Sequence, residues 1–578
     1  MAKQWLVPCF LLAFAAVHIG MNAGGQAPSG IQFREAGRRA GITGITVCGN
    51  QRKTSVIEVN GSGLCWLDYN NDGWLDLFIV NGGTLEDLRA DKNGGRSAHH
   101  NYLYRNNGGS FTDVTQQAGV AGYRWGSGCA AADYDNDGFT DLFLSNLGES
   151  FLFRNNGDGT FTDVAKAAGV AGGFDWHTGA AFGDYDGDGY VDLYVSGYLE
   201  LSQMLEAQKQ CPWRGMQVFC GPGGLKGAPD RLYHNNRDGT FSDVTRQAGL
   251  EDRDLLYGLT ATFEDFDNDG RPDLFVANDR GRNYLYHNLG GGKFEETGET
   301  WAAAYPVEGR AQANMGVAIG DYDRNGTMDA FVTTFSQDHY TLYHNTGKRL
   351  FFDVSGETGL ASATHPFLGW GTFFADLDND GWLDLFTANG HVYPEAAKAS
   401  GVIEKYAQRP LLFRQSAPGI FTEAGLRSGL AGLPVYSSRG AAFADFDNDG
   451  DLDIAYTNMD AAPTLLENVA ASPNHWIALK LVGTRSNRDG IGARVKITAG
   501  GLVEYASVRS GESYVSGNDP RVHFGLGRKD KIDEIEVRWP SGKVERLENV
   551  PIDRIVVVEE GKGIVRVLEP RAGGGQRR

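Results

Sequence analysis

The sequence predicts an all-β protein, with a seven-bladed β-propeller over residues 31–470 and a small all-β domain over 474–560. Two observations carry this expectation. A nine-residue acidic loop, D-x-[DN]-x-[DN]-G-x-x-D, recurs seven times at intervals of 51 to 81 residues. Each copy runs into β-prone apolar residues, such as DLFIVN, DLFLSN and DLFVAN, and then into two more short strand-like pieces. A unit of about four strands that repeats in this way is the mark of propeller blades, which number typically 4–8. Such a unit cannot bury both of its faces alone and must stack on its neighbours.

The loops carry the chemistry. Oxygen-bearing side chains at positions 1, 3, 5 and 9 of a tight turn converge on one point, and a hard cation such as Ca²⁺ takes about six to eight oxygens. The first two candidate ligand sets are Asp68, Asn70, Asp72, Asp76 and Asp133, Asp135, Asp137, Asp141. Asp184, Asp186, Asp188, Asp192 and Asp265, Asp267, Asp269, Asp273 follow. The last three are Asp321, Asp323, Asn325, Asp329; Asp376, Asp378, Asp380, Asp384; and Asp445, Asp447, Asp449, Asp453. Glycine at position 6 permits the turn. Turn chemistry alone favours these residue types, but it does not require three or four carboxylates per turn, which repel one another without a cation. Up to seven Ca²⁺ are expected. The aspartate at position 9 closes the cage earlier than the glutamate of a helix-flanked calcium loop does, so each loop joins two strands.

Around the loops the order repeats. Runs of small residues precede them, as in Cys129-Ala-Ala-Ala132, and suit an innermost strand where blades converge. A piece ending in asparagine comes later, from Tyr102-Leu-Tyr-Arg-Asn106 to Thr341-Leu-Tyr-His-Asn345. An F-x-D-V-x-x-x-A-G piece begins at Phe111, Phe161 and Phe241, with looser copies at Phe352 and Phe421. The last unit stops at Asn468, one strand short. Ile31 to Ala36 resembles the missing outer strand, so the N-terminal segment is expected to close the ring.

Residues 1–27 read as a secretory signal, with Lys3, an apolar run from Leu6 to Val17 and small residues around Ala23 to Ala27. Cys9 falls inside it. No later stretch approaches membrane-spanning length, so export to a secreted or periplasmic location is expected. The formal charge of −20 argues against nucleic acid as a partner. Most of it belongs to the loops, whose 26 carboxylates would bind up to seven Ca²⁺ and leave about −6. The tail, 561–578, ends in Gly and Arg and is expected to be disordered from Arg571.

At this point the repeats resemble FG-GAP/VCBS repeats, as in the propeller of integrin α-subunits, whose blade loops bind calcium through this nine-residue pattern. Residues 474–560 resemble the ASPIC/UnbV domain in Asn487-Arg-Asp-Gly490-Ile-Gly492-Ala, Gly511-Glu-Ser-Tyr514, His523-Phe-Gly-Leu-Gly527 and Val537-Arg-Trp-Pro-Ser-Gly542. Repeats followed by that domain resemble the cartilage acidic protein family and its bacterial relatives. The resemblance implies a secreted, calcium-binding, non-enzymatic propeller.

No HExxH, GxSxG or GxxxxGK[ST] motif is present, which removes common protease, hydrolase and nucleotide signatures. His234, His287 and His344 share a repeat position with Arg105 and Arg154, which reads as a strand-surface site. Cys211 and Cys220 bracket part of the largest insertion, and export favours a disulfide there. Cys48 with Cys65 is the next candidate pair, and Cys129 reads as a buried free thiol. The expected function is an adhesion-type binding module for a protein or glycan on a cell surface or in a matrix, not an enzyme. The alternative is an extracellular enzyme, for instance one acting on polysaccharide, with its site in the propeller channel. The partner is expected opposite the acidic loops, where the insertions 81–101, 197–229 and 390–409 gather. There Trp125, Asp175, Trp176, His177, Tyr257, Trp370 and Arg439 are of types enriched in binding hot spots.

Overall fold

The computed structural model describes residues 30–204, 209–397 and 405–570. The expected signal segment 1–27, with Cys9, and the tail from Arg571 lie outside these residues.

Leu64–Leu67, Asp76–Ile79, Tyr102–Asn106 and Phe111–Asp113 pair in that order as an antiparallel meander. Six more four-stranded sheets repeat it, with first strands Gly126–Ala132, Trp176–Gly183, Tyr257–Glu264, Val317–Gly320, Gly369–Ala375 and Ser438–Ala444. First strands of successive sheets touch, and Ser438–Ala444 returns against Leu64–Leu67. The seven sheets thus form a ring, the arrangement of a β-propeller. Crowding at the axis explains the small residues: a Cβ on Gly371 would lie 2.4 Å from the Ala441 backbone nitrogen of the next sheet. Second strands are buried on both faces and read as continuous apolar runs.

The seventh sheet takes its outer strand from the N-terminal segment. Phe33–Glu35 pairs with Thr464–Asn468, setting Phe33 opposite Asn468 and Glu35 opposite Leu466. Truncation to residue 43 should leave that edge open. We expect aggregation or a lower melting temperature, read by light scattering and thermal denaturation; a truncated protein as stable as the parent would mean that this strand does not hold the ring. Two outer strands depart from the sequence reading. Lys293–Glu296 forms one without a DV signature, and in Phe351–Asp353 the inward residue is Phe351, while Phe352 is 52% exposed.

The C-terminal residues form two four-stranded sheets around Ile477, Leu479, Val495, Ile497, Val537 and Trp539. Ordered structure runs past the expected boundary at 560. A turn at Glu559–Lys562 brings Gly563–Leu568 back onto Arg554–Glu559. The core is continuous with the second and third ring sheets through Phe143, Phe182 and Leu193.

This C-terminal unit covers the end of the ring that carries the acidic loops. Asp133 N donates to Asp489 Oδ2 at 2.7 Å, Arg488 N to Asn136 Oδ1 at 2.8 Å, and Arg521 Nη2 to Asp445 O at 2.7 Å. From it, residues 509–519 enter the axis and touch every first strand or its end. Ser513 and Val317 exchange backbone hydrogen bonds at 2.7 and 2.8 Å, and Gly517 bonds Leu64 and Trp66 at 2.9 and 3.1 Å. Ser513 Oγ donates to Ala441 O and accepts from Thr372 N, and Ser510 Oγ donates to Ala131 O. Gly511 packs against Ala180, and Arg509 pairs with Glu264 at 3.0 Å. The axis is occupied by this segment, whose backbone and serines bond the first strands while Glu512 and Tyr514 are buried within it.

The cysteine reading requires correction. Cys65 and Cys129 form a disulfide across the first strands of adjacent sheets, with Cα atoms 6.2 Å apart. Cys129 is therefore not free. Cys48 is the free thiol among the described residues, and burial pushes it up to about 11. Spacing along the chain does not show which first strands become neighbours; ring order does. Cys211 and Cys220 are bonded at the base of the hairpin Gln210–Trp213 and Met216–Phe219.

Candidate metal centres

Each acidic loop is held by the same backbone hydrogen bonds. In the first, Asp68 Oδ1 accepts from Asp72 N and Oδ2 from Gly73 N, both at 3.0 Å. Asp72 Oδ1 accepts from Trp74 N at 2.9 Å. Asp76 ties the strands together, accepting from Tyr69 N on one oxygen and Asn106 N on the other. The second loop repeats this with Asp133, Asp137 and Asp141. An ionised carboxylate has about four lone-pair sites, so these bonds orient the oxygens and leave acceptor capacity for a cation.

The loops are also knitted to one another. The fourth residue has left-handed backbone, φ 57° at Asn71 and 59° at Asn136, a conformation asparagine tolerates. Asn71 Nδ2 donates to Gly138 O, Asn136 to Gly189 O, Asn268 to Gly326 O, Asn379 to Gly450 O and Asn448 to Gly73 O, at 2.8 to 3.1 Å. Arg324 reaches Gly381 O in the same way; Gly187 has no side chain to do so. A second ring runs the other way. An asparagine near the end of the third strand donates to the preceding sheet's loop, as from Asn155 to Tyr69 O, Asn235 to Tyr134 O and Asn106 to Phe446 O, and Gln415 takes this place in the sixth sheet, donating to Tyr322 O. Sequence reasoning used that asparagine only as a marker; its recurrence in five pieces was the available signal.

Carboxylates meet inside the loops. Ligand-type atoms of Asp133, Asp135 and Asp141 lie within 4.8 Å of one another, and so do those of Asp186, Asp192 and His234, of Asp267, Asp269 and His287, and of Asp323, Asp329 and His344. Burial first, then neighbouring carboxylates, pushes Asp76 up to about 8 and Asp133 and Asp321 up to about 7. Asp378 is 2% exposed, and its Oδ1 has no hydrogen-bond partner. Buried oxygens of this kind suit a hard cation. These acidic clusters could hold metal ions.

The histidines are not plain strand-surface residues. His287 Nδ1 lies 2.9 Å from Asp273 Oδ1, His234 Nδ1 3.1 Å from Asp192 Oδ1, and His344 Nδ1 3.4 Å from Asp329 Oδ1. The carboxylate raises each imidazole. Arg414 occupies the same strand position and reaches Asp378 and Asp380 at 2.6 Å each. One repeat position aims a basic side chain at its own loop because the strand's alternation turns that face toward it.

At the opposite end, the expected contact residues are corrected. Trp125, Trp176, Trp370 and Arg439 are 1–2% exposed, and His177 is buried with its imidazole pushed down to about 4. The three tryptophans pack with Tyr514 and Val515 from the axis segment. Trp370 and Tyr514 stack edge to face at 4.8 Å, and the Arg439 guanidinium lies 4.2 Å from the Trp370 ring centre. Asp175 and Tyr257 stay partly exposed. The same cluster gathers Leu85 and Leu88, Val218 and Phe219, and Val392 and Tyr393, one pair from each large insertion.

Against known families, residues 68–144, 133–195 and 265–332 match the FG-GAP-like repeat, and residues 483–565 match ASPIC and UnbV. The chain carries FG-GAP-like repeats and a C-terminal ASPIC and UnbV domain. It is homologous to cartilage acidic protein 1 of Mus musculus and Homo sapiens, at 28% identity over 307 residues. Those matches cover 52% of this chain and 43% and 42% of the relatives, so the shared region is less than half of each relative's length. Among solved structures, an Agrocybe aegerita lectin that recognises non-reducing terminal N-acetylglucosamine overlays 75% of this chain and 97% of its own, with TM-score 0.36 and 18% identity. The rhamnogalacturonan lyase YesW overlays 89% and 92%, with TM-score 0.31 and 14% identity. The V. cholerae biofilm matrix protein Bap1 overlays 75% and 92%, with TM-score 0.33 and 10% identity. Among the described residues, no helix is long and apolar enough to cross a membrane.

Proposed function

We propose that this chain is an exported, calcium-binding propeller that serves as a non-enzymatic binding module for a protein or glycan partner outside the cell. The observation that carries the metal part is the repeated loop geometry: one donor set, oriented by the same backbone bonds and linked from blade to blade. Repetition of seven near-identical cages fits a structural metal, since catalysis needs a site with an open position that differs from the rest. Residues 509–519 lie along the axis, which supports the binding-module reading over a site deep in the channel. Because the C-terminal unit covers the loop end, partner docking belongs to the opposite end, where the insertions meet.

The test is direct. The mature protein, freed of metal and dialysed against Ca²⁺, should retain several calcium ions per chain by elemental analysis, with titration calorimetry reporting the same stoichiometry. Asp133→Asn with Asp141→Asn should remove one of them. Retention of no calcium would overturn the metal reading. A screen of glycans and surface proteins, with and without Ca²⁺, tests the partner reading.

A further inference from the structure

At the end of the ring opposite the acidic loops lies a cavity of about 550 Å³. Its floor is Val59, Asn60, Tyr198 and Trp370; its rim is Trp213 and Phe219 from the disulfide-closed hairpin, with Phe335 and Tyr393. Trp213 and Tyr393 have ring centres 5.2 Å apart, and Phe219 and Tyr393 4.9 Å. The rim is therefore a set of rings drawn from three separate loops and held against one another. Trp213 is half-buried.

Polar groups among these rings decide what could enter. Asn60 is 5% exposed, and its Nδ2 faces the Tyr198 hydroxyl without reaching ordinary hydrogen-bond geometry. A buried amide donor left unmatched costs stability unless a ligand or water satisfies it. Asp279 takes the Tyr198 hydroxyl at 2.7 Å on one oxygen, and Arg280 is its neighbour. Asp338 is paired with Arg310. Positive and negative groups are thus matched along the wall, which favours neither an anionic nor a cationic ligand. The volume falls within the range of about 300–1,000 Å³ usual for small-ligand sites.

Resting on the reading that the partner docks at this end, we propose that the cavity is a site for an uncharged saccharide. A sugar ring has an apolar C–H face, which the Trp213, Phe219 and Tyr393 rings would cover, and hydroxyls at its edge, which the Asn60 amide and the Asp279 carboxylate would bond. The walls come from several short segments around a compact space, and this suits a ring better than an extended peptide.

The full-length protein, saturated with Ca²⁺, would be applied to an array of neutral mono- and oligosaccharides and to a peptide array. Saccharide hits would be confirmed by saturation-transfer NMR and calorimetric titration. At least one neutral saccharide should bind, and Trp213→Ala and Asp279→Asn should each weaken it tenfold or more with an unchanged melting temperature. Failure of all neutral saccharides, binding indifferent to both substitutions, or binding of peptides alone would overturn the proposal. A protein partner weakened by Trp213→Ala when no saccharide binds would sink the sugar while leaving docking at this end intact. A partner mapped to the C-terminal unit would remove both.

Discussion

Chelation of calcium should lower the melting temperature of this protein by at least about ten degrees. A ligand that binds only the folded chain stabilises it by about 2.7 kcal/mol per site at a hundredfold excess over Kd. Whole domains are stable by only about 5–15 kcal/mol, so a few emptied sites remove a large share. Hydrogen bonds from Asn71, Asn136, Asn268, Asn379 and Asn448 join successive loops, so a loop that loosens also frees an amide from its neighbour. The pH dependence gives a second, signed test. Without metal, Asp76 is pushed up to about 8, Asp133, Asp192 and Asp329 to about 7, and Asp184 and Asp273 to about 6. An unfolded aspartate titrates near ~3.9. The folded state then holds more protons than the unfolded one, and stability falls as pH rises from about 4 to about 8. Asp87, Asp353 and Glu560, pushed down to about 2, act in the opposite sense below that window. The buried His177, His391 and His523, pushed down to about 4, 3 and 3, oppose it up to about 6.5 but are outnumbered by the raised aspartates. Chelated protein should melt higher at pH 5 than at pH 8. Calcium-loaded protein should show the reverse, because metal binding requires the ionised carboxylates. An identical melting curve in chelator, or chelated protein that gains stability toward pH 8, would contradict the calcium cages.

Tyr514→Ala should be the most damaging single truncation at the axis. The side chain is 1% exposed, packs on Trp370 and donates its hydroxyl to Asn60 O at 3.1 Å. Removing a buried aromatic ring costs about 3–5 kcal/mol, and the neighbouring Trp125, Trp176 and Trp370 cannot fill the hole while the sheets hold them. Gly63→Val probes the same segment from the ring side. Even a Cβ there would stand 1.8 Å from the Val515 carbonyl oxygen, an approach no backbone tolerates. Both variants should melt lower than the parent, and limited proteolysis should cut within 509–519 in Gly63→Val but not in the parent. A Gly63→Val protein that melts and resists protease like the parent would show that the axis segment contributes no stability.

The sequence by itself determined the loops, the strands that flank them and the order of strands within a blade. These rest on local physics: turn residues at fixed offsets, apolar runs in strands buried on both faces, and a glycine where φ is 88° at Gly73 and 94° at Gly138. It also determined the closing strand, because a unit one strand short and a spare matching piece leave one solution. Tertiary structure decided the rest. Cys65 meets Cys129 because ring packing makes neighbours of strands 64 residues apart. Trp125, Trp176 and Trp370 are buried in one cluster with Tyr514 and Val515, which arrive from another domain. The stretch Gly511-Glu-Ser-Tyr514 enters the axis, where its backbone and Ser513 bond the converging first strands and Tyr514 is buried against Trp370. His234, His287 and His344 face the loops because strand pairing sets which side of the pleat looks at the carboxylates. Local spacing reports turns and periodicity; contacts between distant segments depend on how the sheets pack, and no single repeat contains that information.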